Sequence, residues 1–225
     1  MKSTAAVTLS ILAATLILAT ACSDLRNTSE QAKFASLPSD CWALEKSTTT
    51  PVKQFGGSLY DENLRFKIVD RSPLPPVLQS SSFPCSVHYT AKTLPERRET
   101  GDRPQFRFIS IWLTIDTSSE DPIESTKEFF GKQRDKRRGE KIYINAGDEA
   151  FTSEQQKVGR EVQAETSFRI SNLIVEVTAS ATNFSGTDDI AIDSPSAQQV
   201  SEAKLAAESI ARAIADNIAT IMPRK

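Results

Sequence analysis

The stretch FRFISIWLTI, Phe106–Ile115, decides the fold of this chain. β-Branched and aromatic residues dominate it and no glycine or proline interrupts it, which is typical of a strand. Isoleucine or leucine occupies every second position from Ile109 onward, so these side chains share one face. The opposite face carries Phe106, Phe108 and Trp112. Because both faces are largely apolar, the pattern predicts a central strand that is covered at least partly on each side.

A predicted hairpin lies closer to the C-terminus. Apolar and polar residues alternate through Val162–Ile170, which indicates a half-buried strand. The dipeptide Ser171-Asn172 follows, and then a second strand, Leu173–Thr178. Asparagine is among the residues that tolerate positive φ, so we expect a tight turn between the two strands. Strands of this kind favour an antiparallel sheet with one face largely solvated.

A helix is predicted after the central strand. Asp121 can cap its N-terminus, Pro122 suits the first helical position, and Glu124 stands where a capping box requires it. We expect the helix to run to about Arg138 and to stop at Gly139. Its far end, residues 132–141, is rich in lysine and arginine, which fits either a solvated helix end or a contact with anionic lipid headgroups or wall polymer.

A longer helix is predicted to close the chain, from Ser194-Pro195 to about Ile221. Its apolar residues recur at spacings of three and four and form one continuous face: Val200, Ala203, Ala207, Ile210, Ile214, Ile218 and Ile221. Strands and helices together predict an α+β fold. We expect an antiparallel β-sheet of about five or six strands, with the long C-terminal helix packed on one face and a second helix after the central strand.

Residues 1–22 have the layout of a bacterial export signal. Lys2 precedes an uncharged, Ala- and Leu-rich run, and small residues lead directly to Cys22, as in a lipobox. This predicts a lipoprotein signal peptide over residues 1–21 and a lipid, such as palmitate, on Cys22. Two alternatives are an uncleaved transmembrane anchor and an ordinary secretory signal with a chance cysteine.

The signal also fixes the expected location and domain organisation. Cleavage leaves 225 − 21 = 204 residues, which suits one domain and a tether. We predict a polar tether over residues 22–37 and a single α+β domain over residues 38–225. The protein is then expected on the extracytoplasmic side of the cell membrane, held there by the lipid on Cys22.

Two further cysteines, Cys41 and Cys85, form an even pair in an exported domain, which predicts a disulfide. The alternative is two separate buried thiols. With one histidine in the chain they do not make a four-ligand metal set, so we expect no metal site. The residues after Cys41 predict one helical turn, followed by a Thr-rich loop at Ser47–Thr50.

Nothing in the sequence indicates a reaction. The formal net charge of −2 argues against nucleic-acid binding, which requires a basic surface. His88 lies on the polar side of the strand predicted at Cys85–Thr90, where a solvated residue is expected. Asp148 and Glu149 follow a glycine and favour a β-turn over a catalytic pair. Hydrolase, phosphate-loop and dinucleotide motifs are absent from the sequence, so we predict no catalytic residue, no cofactor and no enzyme.

Several short motifs resemble a family of secreted actinobacterial lipoproteins of unknown function. They are Asp40-Cys41, Cys85 with Tyr89, the Gly-Asp-Glu-Ala turn in Gly147–Phe151, and the strand Asn172–Val177. The resemblance implies location and fold rather than chemistry. In that family a helix usually follows the first cysteine and ends in glycine, whereas Glu45–Thr50 here predicts an early break. PsbP-like lipoproteins and the extracellular sensor domains of actinobacterial kinases have a similar order of elements.

Three functional hypotheses follow. The first is a non-catalytic envelope lipoprotein that binds a lipid, a wall component or a protein. The second is a sensory or accessory subunit that docks to a membrane protein partner. The third is a hydrolase with an unrecognised site. The presence and lining of a pocket should discriminate among them.

Overall fold

The computed structural model describes residues 34–69, 82–91, 105–137, 140–141, 147–153, 156–158, 161–182 and 195–222. These stretches belong to one compact unit, residues 33–225. An antiparallel sheet with helices packed against it confirms the predicted α+β class. The predictions for the signal peptide, for Cys22 and for Gly139 fall outside the described residues.

The helices begin and end as follows: α1 is Trp42–Gly56, α2 is Pro122–Lys136, α3 is Ala197–Asp216 and α4 is Ile218–Ile221. The predicted cap of α2 is confirmed, because the Asp121 side chain accepts hydrogen bonds from the backbone N–H groups of Ile123 and Glu124. The long C-terminal helix starts just after the predicted position, with Ser196 and Gln199 forming a reciprocal capping box.

The strands are β1 (Lys67–Ile68), β2 (Ser82–Thr90), β3 (Phe106–Ile115), β4 (Glu140–Lys141), β5 (Glu149–Thr152), β6 (Gln156–Val158), β7 (Glu161–Ile170) and β8 (Leu173–Thr182). They pair antiparallel in the order β1-β2-β3-β8-β7-β5-β4, and β6 also pairs with β7. The described part of the chain thus forms eight strands rather than the five or six expected. β1, β4 and β6 are two or three residues long, too short to leave a periodic pattern in the sequence.

Strand β3 is central, as predicted, because it pairs along its whole length with β2 on one side and β8 on the other. Its isoleucines and Leu113 are buried on the sheet face that carries α1, α3 and α4. Ala203 and Ala207 of α3 are fully buried in the same core. Such small side chains allow the helix to approach the sheet closely, which adds dispersion contacts to the apolar burial.

The second face of the sheet is more covered than the sequence predicts. Phe130 of α2 packs against Phe151 of β5, with ring centroids 5.1 Å apart, and Ile174 of β8 joins them in a small buried cluster. Ser167 and Arg169 of β7 are buried on this face as well. The expectation of a largely solvated face is therefore wrong for this part of the sheet, because α2 folds back over it.

The turn between β7 and β8 links three segments of the chain. Ser171 has a positive φ of 55° and Asn172 does not, so the predicted turn is present with the left-handed residue one position earlier than expected. Asn172 is instead buried, and its side chain bonds both backbone groups of Phe34 (2.8 and 3.1 Å) and the carbonyl oxygen of Asp116 (2.7 Å).

This contact corrects the predicted end of the tether. Phe34 is 2% exposed and belongs to the main core, and Leu37 packs against that core. The domain therefore begins by Phe34, and residues 34–37 are not part of a tether. The polar residues around Phe34 conceal its role in the sequence, because a single apolar residue gives no periodic signal.

Helix α1 corrects a second prediction. It continues through the Thr-rich segment and through Pro51 to Gly56, where one helical turn and a loop were expected. The hydroxyl groups of Thr48 and Thr49 donate to the carbonyl oxygens four residues earlier, at 2.8 and 2.9 Å. Leu44, Thr48, Val52 and Phe55 face the core, so tertiary packing stabilises a helix that its composition disfavours.

The predicted disulfide between Cys41 and Cys85 is present, with their Cα atoms 6.0 Å apart. It joins the start of α1 to the middle of β2. Cys85 pairs with Ile68 of the edge strand β1, so the bond also brings the N-terminus of α1 beside that strand.

Candidate functional site

A groove of about 310 Å³ opens beside the N-terminal half of α1. Its walls are α1, the segment from Tyr60 to Phe66, and Tyr89 of β2. Most of its lining is polar, with Glu45, Thr49, Glu62, Asn63 and Arg65 around the two tyrosines. The groove thus combines aromatic rings with side chains that donate and accept hydrogen bonds.

The two tyrosine rings form the aromatic part of the groove. The centroids of Tyr60 and Tyr89 are 5.5 Å apart and their planes are tilted by 42°. Burial raises the pKa of Tyr89 to about 12, with nearby Tyr60 and Glu45 adding to the effect. The phenol is therefore neutral at physiological pH and serves as a hydrogen-bonding group, not as a base.

Glu45 holds one wall of the groove in place. Its Oε1 accepts a hydrogen bond from Arg65 at 2.5 Å, and its Oε2 accepts one from the backbone N–H of Phe66 at 3.1 Å. The hydrogen bond with Glu45 and the charge of that carboxylate raise the pKa of Arg65. The Arg65 guanidinium also lies 5.8 Å from the centroid of the Trp42 ring. These contacts fix the 60–66 segment against α1.

Large apolar side chains near this groove remain exposed. Trp42 is 60% exposed, Ile68 50% and Leu64 40%. Trp42 follows Cys41 and Ile68 pairs with Cys85, so the disulfide links the two segments that carry these side chains. We call this surface the α1–β1 edge: Trp42, Glu45, Tyr60, Asn63, Leu64, Arg65, Ile68 and Tyr89.

A second, smaller groove of about 230 Å³ lies between α1 and α3. Pro51, Phe55 and Leu205 supply its apolar lining, and Gln54 and Glu202 its polar lining. Leu205 is 58% exposed there. This groove lacks the convergence of aromatic rings with several polar groups that characterises the α1–β1 edge.

The structure does not bring His88 to the α1–β1 edge. Tyr89 points to the core side of β2, so its neighbour His88 points to the other face. There the imidazole makes edge-on contacts with Phe106 and Phe108, at centroid distances of 5.4 and 6.1 Å. The residue is exposed, as predicted.

Asp148 lies in the bend before β5 and Glu149 is the first residue of that strand, in agreement with the predicted turn that opens a strand. Both carboxylates pair with the buried Arg169, at 2.7 and 3.4 Å, and Asp148 also accepts a hydrogen bond from the backbone N–H of Ser171. Gly147 precedes them with a φ of 85°. The arrangement fastens the start of β5 to the β7–β8 turn.

Two of the described basic residues at the end of α2, Arg134 and Arg137, pair with carboxylates of the sheet. Arg137 pairs with Glu165 of β7 and, at 3.0 Å, with Glu176 of β8. Arg134 pairs with Glu149 at 3.8 Å. These contacts hold α2 on the second face of the sheet. Because Arg134 and Arg137 are paired within the domain, they do not support the predicted contact of residues 132–141 with lipid headgroups or wall polymer.

No cluster of three or more His, Cys, Asp or Glu side chains in the described part of the chain is placed to hold a metal ion. No helix among the same residues is both long and apolar enough to cross a membrane.

Comparisons with protein-family models, curated proteins and solved structures gave no match for this chain. In the sequence, Tyr89 lies in the strand predicted at Cys85–Thr90, and nothing in that segment indicates a groove. An exposed tryptophan beside a cysteine, Cys41-Trp42, was the available hint.

Proposed function

We propose that this chain is a non-catalytic, lipid-anchored protein on the extracytoplasmic side of a bacterial cell membrane, and that it binds a wall component through the α1–β1 edge. The observation that carries the proposal is the groove lined by Tyr60 and Tyr89 beside the exposed side chain of Trp42. Concave sites that combine aromatic surface with a few convergent polar groups are typical of ligand binding.

The exposed apolar residues support a binding role. Trp42, Leu64 and Ile68 expose large apolar side chains to water at positions where a polar residue would leave the core unchanged. Burying such surface against a ligand stabilises a complex by about 25 cal/mol per Å². Tryptophan and arginine are also the residues most often found at binding hot spots, and Trp42 and Arg65 lie next to each other.

The polarity of the groove favours a wall component over a lipid. An acyl chain requires a deep and mostly apolar cavity, whereas this groove is open to solvent and lined mainly by polar side chains. A polar polymer can place one unit in such a groove while its neighbours run over the surrounding surface.

The same contacts disfavour catalysis at this edge. Both oxygens of Glu45 are engaged, by Arg65 and by the backbone N–H of Phe66. Glu45 therefore positions the wall of the groove. Tyr89, with its pKa raised to about 12, is a poor base near neutral pH.

A second candidate function is docking to a membrane protein partner. The exposed cluster of Trp42, Leu64 and Ile68 favours it, because apolar residues at an exposed edge are common in protein interfaces. The lining of the groove beside this cluster is what favours the wall component.

Co-sedimentation with purified insoluble cell wall tests the proposal. The intact processed protein, kept soluble in mild detergent, should pellet with the wall. Trp42→Ser should weaken this binding about tenfold. Phe129→Ser is the matched control, since Phe129 is a comparably exposed aromatic residue on α2, and it should bind like the wild type.

Two results would overturn wall binding: an intact protein that stays in the supernatant, or equal losses for both variants. A second experiment tests docking, with photo-cross-linking residues placed at positions 42 and 68 of the protein in cells. If the protein does not pellet with the wall but both positions cross-link to the same membrane protein, docking replaces wall binding. The anchor is tested separately, since Cys22→Ser should move the protein out of the membrane fraction. Retention of that variant in the membrane would refute lipid anchoring.

A further inference from the structure

We infer that the groove of the α1–β1 edge binds a neutral saccharide unit of the wall component. This inference rests on the proposed function and specifies its ligand class. It is argued from the tyrosine rings, from the polar side chains around them, and from the size and charge of the groove.

The rings supply the stacking surface that a sugar uses. The face of an aromatic ring carries a partial negative charge, which attracts the weakly positive C–H groups on one side of a pyranose. Tyr89 lies at the buried end of the groove and is 2% exposed, while Tyr60 is only partly buried. Tyr60 is therefore the more open of the two rings. The Lys53 ammonium lies 5.8 Å from the Tyr60 centroid, so a sugar stacked on this ring contacts Lys53 as well.

The polar side chains supply hydrogen bonds in a fixed arrangement. Asp61 accepts hydrogen bonds from both the backbone N–H and the side-chain amide of Asn63, at 2.8 and 3.0 Å, which orients that amide. Arg65 is oriented by Glu45 in the same way. Sugar hydroxyl groups both donate and accept, so they match a lining that mixes an amide, a guanidinium and carboxylates. Preorganised partners of this kind lower the entropic cost of binding.

The volume and the charge of the groove limit the class of ligand further. The volume of about 310 Å³ is at the lower end of the range for ligand pockets, which suits a single sugar unit and not a folded protein segment. Among the lining residues, Glu45 and Glu62 contribute −2 and Arg65 contributes +1, which gives −1. Just outside the lining, Lys53 beside the Tyr60 ring and Asp61 bonded to Asn63 carry opposite charges that cancel. The net negative charge disfavours uronic acids and other anionic sugars.

Isothermal titration of the intact protein in detergent tests the inference with two probes. One is a soluble tetrasaccharide of β-1,4-linked N-acetylglucosamine, and the other is a tetrasaccharide of galacturonate. We expect the neutral probe to bind about tenfold more tightly than the anionic one, since one favourable or unfavourable contact changes affinity by about that factor.

Variants of Tyr60 and Asn63 locate the site. Tyr60→Ala should weaken binding of the neutral probe about tenfold, whereas Tyr60→Phe, which keeps the ring, should change it less than about threefold. Asn63→Ala should weaken it about fivefold, and because Asn63 is exposed this variant should fold normally. Phe129→Ala, far from the groove on α2, is the control and should bind like the wild type.

The outcomes separate this inference from the proposed function. If the protein pellets with the wall but neither tetrasaccharide binds, or if Tyr60→Ala and Asn63→Ala bind the neutral probe unchanged, the saccharide inference is refuted while wall binding stands. Tighter binding of the galacturonate probe refutes the preference for a neutral sugar. A protein that binds neither the wall nor either probe refutes both proposals.

Discussion

Asn172 is the residue on which the assembly of the N-terminal segment depends. Its amide spans from the β7–β8 turn to Phe34 and to Asp116, three parts of the chain that are far apart in sequence. All of these hydrogen bonds involve buried or partly buried groups, so they cannot be replaced by water without rearrangement. One side chain thus fixes both the entry of the chain into the domain and the end of β3.

Replacing Asn172 by Ala should destabilise the protein by about 2–3 kcal/mol, because it leaves buried backbone groups of Phe34 unpaired. Urea denaturation followed by circular dichroism measures this difference. Asn63→Ala is the control, since an exposed asparagine should cost less than about 0.5 kcal/mol. Equal midpoints for the two variants would contradict the role given to Asn172.

Two glycines make a matched pair for backbone conformation. Gly147 has a φ of 85°, and a Cβ atom there would lie 2.5 Å from the carbonyl oxygen of Arg169. Gly147→Ala should therefore lower the free energy of unfolding by about 1–3 kcal/mol. Gly131 lies within α2 with no atom near its missing Cβ, so Gly131→Ala should raise it by about 0.5–1 kcal/mol. Thermal unfolding checks both predictions, since the midpoint should fall for Gly147→Ala and rise for Gly131→Ala. Midpoints that shift in the same direction would refute this account.

Asp116 predicts a pH dependence of stability. Partial burial acts to raise its pKa, but hydrogen bonds from Ser119 and Ser125 and from the backbone N–H groups of Ser118 and Ser119 outweigh burial and lower it to about 2. The unfolded value is about 3.9. The folded pKa is the lower one, so the contribution of Asp116 is complete above about pH 4 and is lost as the pH falls toward 2.

Asp116→Asn keeps the shape of this side chain and removes its charge. The wild type should be the more stable of the two at pH 6, and the gap should shrink as the pH is lowered from 4 to 2.5. Urea midpoints measured across that range test the prediction. A gap that is constant with pH would show that the charge of Asp116 contributes nothing.

At the scale of elements, the Cys41–Cys85 disulfide couples α1 to the sheet. It closes a separation of 44 residues that includes the whole of α1 and the 60–66 wall of the groove. Replacing both cysteines by serine should lower the free energy of unfolding by about 3–4 kcal/mol in the chain-entropy model. Guanidinium denaturation gives this value.

The bond itself can be checked by mass spectrometry. Neither Cys41 nor Cys85 should react with an alkylating reagent until the protein is reduced. Alkylation of both without a reductant would refute the disulfide.

Elements with strong local signals could be predicted from the sequence, and α1 could not. Strand β3 has ten residues of β-branched and aromatic character, and α2 begins with a complete set of capping residues. In α1 the threonines and Pro51 lower the local helix propensity, and the helix forms because Leu44, Val52 and Phe55 are buried against the sheet and α3. Tertiary contacts of this kind leave no mark in a single sequence.

The groove could not be predicted for a related reason. Glu45, Tyr60, Arg65 and Tyr89 come from a helix, a loop and a strand, and their proximity depends on the disulfide and on the β1–β2 pairing. Each residue looks ordinary in its own segment. The disulfide, by contrast, could be predicted, because two cysteines that follow a predicted export signal form an even pair.

At the scale of the whole molecule, the two faces of the sheet have different roles. One face holds the main core under α1 and α3, and the other carries α2 through Phe130 and the ion pairs of Arg137. The α1–β1 edge lies at the margin of the first face. Three large apolar residues are exposed there: Trp42 at the start of α1, Leu64 in the 60–66 segment and Ile68 in β1.

Hydrogen–deuterium exchange of the intact protein, free and bound to insoluble wall, tests the central claim most directly. The account predicts slower exchange on binding in peptides that cover residues 42–49 and 60–68, and unchanged exchange in α2. Protection confined to α2, or no change in residues 42–49 and 60–68 while the protein is bound, would contradict it.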